Sequence, residues 1–361
     1  MASTGAHPSL PGPLWHALER AAAEVALEPG DVAVVYGAAD RGELAALLAE
    51  RFPDASVVVA ATDVREAAFA RERAARLANV RVEVVQRLDE AAEGGVRLVA
   101  MVPGGYEGKQ RLRAMVAEAA SALRTGGALV LVSHARRGAG TLLRMAEEAL
   151  GGADVVARGW GGMRVLRAER GQGAVPPAGA SGTEIEAQLL GRAFRFATAP
   201  GVFSRERVDP GTRLLIDSVE VAGARSVLDL GCGYGVIGIS VAATESQARV
   251  TLVDVDARAV ALAKANCERN GVTADAEVAD GPAALGRRFD LILTHFPLHA
   301  PRGDRDRLVR EAHDALEPGG RLCAVVLEQY DLSETFARNF PSVQRLAESG
   351  GYVVLEGMRG R

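Results

Sequence analysis

With 361 residues, 48% of them hydrophobic, the chain is long enough for two domains of ordinary size, each with its own core. A formal net charge of −4 supplies no basic body for nucleic acid, so such a partner would have to be gripped by local arginine clusters. No apolar run approaches the roughly 20 residues that span a bilayer, the start "MASTGAHPSLPGPLWHALER" lacks the layout of a secretory signal, and Cys232, Cys267 and Cys323 are too scattered for a disulfide framework or a zinc site. The expectation is a cytoplasmic monomer that needs neither membrane nor metal.

In chain order, short Val/Leu/Ile runs predict strands at Val32 to Tyr36, Val57 to Ala60, Val80 to Val85, Arg97 to Val102 and Ala128 to Val132. The segments between them have helical period. The same series returns at Ser226 to Leu230, Arg249 to Val253, Ala274 to Val278, Leu291 to Thr294 and Arg321 to Val326. An offset of 193 residues lays "AVVYGAADRG" from Ala33 over "SVLDLGCGYG" from Ser226, and "ALRTGGALVLVS" from Ala122 over "ALEPGGRLCAVV" from Ala315. The domain is duplicated. Alternating strands and helices predict, in each copy, a mostly parallel α/β sheet covered on both faces and closed by an antiparallel C-terminal hairpin. The boundaries read as 1–170 for the first copy, 171–183 ("GQGAVPPAGASGT") for a flexible linker and 184–361 for the second copy.

The copies differ in chemistry. In "VLDLGCGYGVIG", Gly231, Gly233 and Gly235 let the backbone pass close to a ligand at a helix start, and Asp254 ends the next strand, where a carboxylate can accept both hydroxyls of a ribose. This is a nucleoside pocket. Gly233, Gly235 and Gly238 also satisfy a dinucleotide fingerprint, but Asp229 just before the first glycine would repel a pyrophosphate and suits a cofactor bearing an ammonium group. In the first copy Tyr36 falls at the position of Asp229, only Gly37 and Gly42 punctuate the turn, and Asp63 remains to end the second strand.

"VLDLGCGYG", Asp254, "VADG" with Asp280 and "LEPGG" together resemble the class I S-adenosylmethionine-dependent methyltransferases. More narrowly, "FRFATAPGVFSRERVDPGTRLLIDSV" from Phe194 resembles the lead-in segment of the bacterial ribosomal RNA guanine-N2 methyltransferases that modify small-subunit RNA, a family with a degenerate N-terminal copy before an active one. The resemblance implies two tandem Rossmann-like methyltransferase domains, S-adenosylmethionine as cofactor and ribosomal RNA or the small subunit as partner. It also implies that Gly231, Gly233 and Gly235 surround the methionine portion, Asp229 lies near its amino group, Asp254 holds the ribose, Asp280 takes the adenine amino group, and Phe203 and Ser204 cover the pocket.

The family's fourth strand ends in an Asn-Pro-Pro-aromatic turn whose Asn holds the guanine amine against the methyl group, a positioning effect of the kind that can lower a barrier by about 7–11 kcal/mol. Here the turn is "THFPLHA": His295 replaces the Asn, Phe296 the first Pro, Pro297 keeps the second, and His299 follows. His295, Phe296 and Pro297 are the candidate catalytic residues, with Phe296 free to stack on a flipped base. A neutral imidazole accepts one hydrogen bond or acts as a base. The acceptor can therefore be the guanine amine, another nucleotide atom or a small molecule, or the chain can be a binding protein whose catalytic turn has decayed. His295 and His299 do not make a zinc pair, because Pro297 separates them and no further ligand follows. Arg192, Arg195, Arg205, Arg207, Arg213, Arg302, Arg305, Arg307 and Arg310 are candidates for phosphate contacts, although Asp304 and Asp306 interleave the last group.

Overall fold

The computed structural model describes residues 18, 20–22, 24–37, 42–92, 95–101, 108–158, 162–174, 182–296, 302–330 and 332–361, the side chains of Arg137 and Arg302 excepted. The chain divides into two compact units, one within residues 6–181 and one from Gly182 to Arg361. In the first, the order is β1 (Val32–Tyr36), α1 (Glu43–Arg51), β2 (Ser56–Ala61), α2 (Val64–Ala74), β3 (Val80–Val84), β4 (Val96–Met101), α3 (Lys109–Ala122), β5 (Leu123–His134), α4 (Ala139–Leu150), β6 (Ala153–Arg158) and β7 (Met163–Glu169). The second begins with a hairpin, β8 (Thr183–Leu189) and β9 (Arg192–Thr198), and continues α5 (Pro210–Ser218), β10 (Ser226–Leu230), α6 (Val236–Thr244), β11 (Arg249–Asp254) and α7 (Ala257–Asn270). It closes with β12 (Asp275–Val278), β13 (Phe289–His295), α8 (Arg302–Ala315), β14 (Leu316–Leu327), α9 (Ser333–Asn339), β15 (Ser342–Ser349) and β16 (Tyr352–Met358).

Both sheets have one topology, β3-β2-β1-β4-β5-β7-β6 and β12-β11-β10-β13-β14-β16-β15, with only the last two pairings of each antiparallel, so that β7 and β16 alone run against the rest. This is the duplicated, mostly parallel fold that the sequence predicts. The strands are apolar on both faces because both faces are covered: in β13, Leu291 and Leu293 enter one core, Ile292 the other. Strand order reverses between β10 and β13, so the carboxyl ends of these strands open the crevice where such sheets bind ligands. A side chain at Gly127 or Gly320, the matched second glycines of "RTGG" and "EPGG", would strike backbone oxygens of the neighbouring strand within 3.0 Å. Both copies keep glycine there for lack of room.

The β8–β9 hairpin is pinned to α7 by two asparagines at helical spacing. Buried Asn266 accepts from the Ala197 N–H (2.7 Å) and donates to the carbonyls of Ala197 and Tyr234 (both 2.9 Å), while Asn270 pairs in the same way with the backbone of Arg195. The chain then turns into α5, capped by Asp209, whose Oδ1 accepts from the N–H groups of Gly211 and Thr212, with Pro210 in the first turn. Sequence reasoning passed over both asparagines. Asn266→Ala strands the buried Tyr234 carbonyl and the partly buried N–H and carbonyl of Ala197, at up to about 1–3 kcal/mol each before relaxation. The expected outcome is β9 amide exchange faster by about 10- to 100-fold, with β1 and β2 unchanged and a smaller effect from Asn270→Ala, whose site water can reach; hydrogen–deuterium exchange resolves the segments, and an unaltered hairpin would contradict the assignment.

Candidate active site

The turn after β10 separates glycines that face a cavity from glycines that serve packing. Gly231 (φ 71°) and Gly233 (φ 55°) hold left-handed backbone, and a Cβ on either would meet nothing within 4 Å. Open space lies above them. A Cβ on Gly235 would lie 2.8 Å from Ile239 Cδ1, and one on Gly238 would fall on the Leu252 side chain and Asp229. The N–H groups of Gly231 and Cys232 both donate to the Val253 carbonyl (2.8 and 2.9 Å), fixing the turn against β11.

Asp229 is fully buried below this turn. Gly235 caps α6 without a side chain, and Asp229 supplies the missing acceptor from β10: its Oδ2 accepts from the Gly238 N–H at 2.8 Å. Its Oδ1 is buried with no hydrogen-bond partner. Burial pushes the carboxyl up to about 7, against the pull of the Gly238 N–H, and the charge of Asp254 adds to the rise. Asp254 ends β11; its Oδ2 accepts from Gly233 N–H (2.9 Å) and its Oδ1 from Asp256 N–H (3.0 Å). Asp280, after β12, receives Arg307 Nη2 on its Oδ1 at 2.9 Å, and the other Arg307 terminal nitrogen pairs with Glu311 at 2.9 Å. Arg307 is therefore committed to a carboxylate bridge. Its spacing of four from Glu311 on α8 was the available signal.

The lead-in segment closes one side. Tyr234, within the glycine turn, donates its hydroxyl to the Ser204 carbonyl at 3.2 Å, and Ser204 itself, at φ 52°, donates its hydroxyl to the Arg207 carbonyl at 2.7 Å. Phe203 is 59% exposed and stands edge-on to His295, ring centroids 5.0 Å apart. Several arginines of this region are also engaged: Arg192 donates to the Ala243 carbonyl, Arg213 to the Gln188 carbonyl, and Arg195 and Arg205 face Glu186 and Glu206.

His295 ends β13, level with the glycine turn, since Asp229 pairs with Leu293 two residues earlier. Its Nδ1 lies 2.8 Å from Thr212 Oγ1 and 3.6 Å from Asp209 Oδ1, and Tyr352 packs edge-on at 6.1 Å while donating its hydroxyl to Asp209 Oδ2 (3.3 Å). Burial holds the imidazole below its ordinary value, with Asp209 pulling the other way. Phe296 corrects the sequence expectation. At 2% exposure it belongs to the core with Ile292 and Leu322, and its N–H donates to the Val325 carbonyl, prolonging the strand by one residue. It is no stacking platform; Phe203 is the exposed aromatic beside His295. Pro297 and His299 lie outside the described residues. Thr212, Asp209 and Tyr352 were not singled out from sequence, because α5 and β16 reach His295 from distant parts of the chain.

The first unit corrects the ungapped alignment: by strand register Val35 stands where Asp229 stands, and Tyr36 stands where Leu230 stands. Tyr36 is fully buried, its hydroxyl donating to Glu118 (2.5 Å) and accepting from Arg111 (3.0 Å), and burial pushes that hydroxyl up. Asp63 does not end β2; it caps α2 and pairs with Arg65, as Asp256 caps α7 and pairs with Arg258. Ala61 stands where Asp254 stands in the second unit. Among the described residues no three His, Cys, Asp or Glu side chains gather as a metal site, and no helix is long and apolar enough to cross a membrane.

Comparison with known proteins gives the same pattern twice. The sequence profile of the methyltransferase small domain matches residues 32–166 and again 193–356. A ribosomal RNA small subunit methyltransferase C of Pseudomonas fluorescens is 32% identical over 188 residues, 49% of this chain and 54% of the relative. A ribosomal RNA large subunit methyltransferase G of Alcanivorax borkumensis is 37% identical over 170 residues, 45% of this chain and 43% of the relative. The chain thus spans about half the length of the curated relatives it matches. Among solved structures, the T. thermophilus 16S rRNA N2 G1207 methyltransferase in complex with AdoMet and guanosine has a TM-score of 0.81 at 27% identity, covering 98% of this chain and 93% of that one. The chain belongs to the methyltransferase small domain family.

Proposed function

We propose that the chain is an S-adenosylmethionine-dependent methyltransferase whose acceptor is a guanine amino group of small-subunit ribosomal RNA, with residues 184–361 as the catalytic domain, 171–183 as a linker and 1–170 as a degenerate copy that has lost the cofactor site. The observation that carries this reading is the Asp254 carboxylate bound to the Gly233 N–H beside a glycine turn that opens onto free space. The relatives that act on ribosomal RNA support the choice of acceptor. A ribosomal substrate implies work in the cytoplasm, and nothing in the reaction calls for more than one copy of the chain.

S-adenosylmethionine would supply an electrophilic methyl group on a sulfonium. The residues present fit it. Asp229 Oδ1, buried and unpartnered, suits an ammonium group. Gly231 and Gly233 keep the approach of the methionine portion clear, while Gly235 fixes the helix start below it. A carboxylate has about four acceptor sites, so Asp254 can serve a ribose beside its backbone donors. Asp280, with one oxygen held by Arg307, presents the other to the adenine amino group. Ser204 shapes the turn that carries Phe203 over the pocket, and the imidazole of His295 orients the acceptor. A second reading keeps the cofactor and changes the acceptor to a hydroxyl, a ring nitrogen or a small molecule; the observation favouring it is the replacement of the family's Asn by a half-buried imidazole.

Removing the Asp254 carboxylate deletes charge-assisted hydrogen bonds to ligand and turn, each worth about 1.5–3 kcal/mol. Asp254→Ala is expected to weaken S-adenosylmethionine at least 100-fold by calorimetry and to abolish labelling of small subunits, with β1–β5 exchange unchanged. Wild-type protein that binds the cofactor yet labels no RNA would overturn the acceptor.

Asp229 sets a pH dependence. Its raised value means that the folded apo protein holds a proton the unfolded chain has released, so this stabilisation is complete below about pH 4 and lost as pH rises through about 7. Cofactor binding has the opposite sign, since the ammonium favours ionised Asp229 and binding below pH 7 must expel the proton. Affinity is expected to rise about 5- to 10-fold from pH 6 to pH 7.5 and to level off near pH 8, where an α-amino group itself deprotonates. Asp229→Asn removes the rise; calorimetry across this range checks it, and a flat wild-type profile contradicts it.

A further inference from the structure

The surroundings of His295 determine which of its ring nitrogens faces the acceptor. Thr212 and Asp209 both lie on the first turn of α5, and Asp209 Oδ1 is already oriented by the N–H groups of Gly211 (2.8 Å) and Thr212 (3.3 Å). His295 Nδ1 points at this pair, 2.8 Å from the Thr212 hydroxyl oxygen and 3.6 Å from the carboxylate. A hydroxyl can serve either as donor or as acceptor, so the carboxylate decides. A lone pair on Nδ1 would face its negative charge, whereas an N–H there is attracted by both oxygens. Phe203 and Tyr352 flank the ring edge-on, and the Tyr352 hydroxyl holds the far oxygen of Asp209, so the imidazole keeps this orientation. Nε2 makes no hydrogen bond to any described residue, and the side chain retains 15% of its exposure, at the strand end beside the glycine turn.

We infer that Thr212 and Asp209 are positioning residues that hold His295 as the Nδ1–H tautomer, so that Nε2 accepts the hydrogen of the atom being methylated. This rests on the methyl transfer proposed above and adds to it the base. An asparagine amide accepts a hydrogen bond without taking a proton; an imidazole nitrogen does both. As the acceptor nitrogen or oxygen bonds to the methyl carbon, the carbon–sulfur bond breaks with its electron pair passing to sulfur. The acceptor's proton moves to Nε2, and the imidazolium so formed is stabilised by Asp209 across 3.6 Å. The base favours acceptors whose hydrogen must leave during transfer and which present it singly to His295.

Two measurements on the full chain test this. In uniformly 15N-labelled protein, long-range proton–nitrogen correlation, with the His295 signals identified by their loss in His295→Asn, is expected to show a protonated Nδ1 and an unprotonated Nε2. The reverse pattern overturns the inference whether or not the protein methylates RNA. In steady-state transfer to small subunits, Thr212→Val is expected to lower kcat about 10-fold while the Kd for S-adenosylmethionine stays within twofold, and Thr212→Ser restores kcat. Unchanged kcat in Thr212→Val overturns it, and so does a loss that Ser fails to rescue. Absence of transfer by the wild type defeats the proposed function instead, leaving the tautomer result to stand by itself.

Discussion

The hydrogen bond from the Gly238 N–H to the buried Asp229 carboxyl ties together nearly everything that shapes the cofactor side of the second unit. A helix that begins directly after a glycine turn has exposed N–H groups and no side chain to cap them. Asp229 meets that need from the strand below, so the turn between strand and helix is clamped at both ends. Gly238 must then lack a side chain, since a methyl group there would strike Asp229 and Leu252. The clamp has an electrostatic consequence. One oxygen is satisfied and the other is left buried and unpaired, which raises the carboxyl towards neutrality until a cation arrives. One interaction thus builds the turn and prepares the charge that a ligand would complete.

The first unit shows the same fold without that carboxylate. Gly42 stands where Gly235 stands, also left-handed and also without a side-chain cap. By strand register, however, apolar Val35 sits at the carboxylate's position, and Tyr36, one residue on and facing the other core, sends its hydroxyl into Glu118 and Arg111. The polar group is satisfied internally and asks for no ligand. With Ala61 in place of an acid at the end of β2, neither the charge nor the ribose acceptor survives, although the seven-stranded order is identical. The fold outlasts the site because it depends on the apolar alternation and the tight glycines at 127 and 320, not on the acids.

This separation explains what could be read from the sequence and what could not. Strand positions, the parallel order with its antiparallel end and the acid–glycine–acid pattern are local, and they were legible at the level of single runs. Even the burial of Phe296 had a signal, because period-two alternation puts it on the same face as Ile292; the turn motif suggested by resemblance displaced that simpler reading. The contacts around His295 were another matter. Thr212 lies 83 residues from it and Tyr352 arrives on the last strand, so no spacing rule relates them. The Arg307 bridge was hidden differently: arginines near a substrate mouth read as phosphate ligands until Asp280 and Glu311 are seen to hold one of them.

The two halves of the site therefore carry unequal constraints. On the cofactor side Asp229 and Asp254 are each coupled to a backbone N–H, so a change at either damages turn and binding together. On the acceptor side, among the described residues, the imidazole of His295 is held through side chains, by a hydroxyl, a carboxylate at a helix cap and two ring edges. Replacing an amide with an imidazole at that point leaves the strand register and glycine turn untouched, since β13 pairs with β10 and β14 through its backbone. Acceptor chemistry can thus shift while the cofactor geometry remains fixed. The cap and first turn of α5 are where such a shift is accommodated, because they contribute both oxygens that face the imidazole.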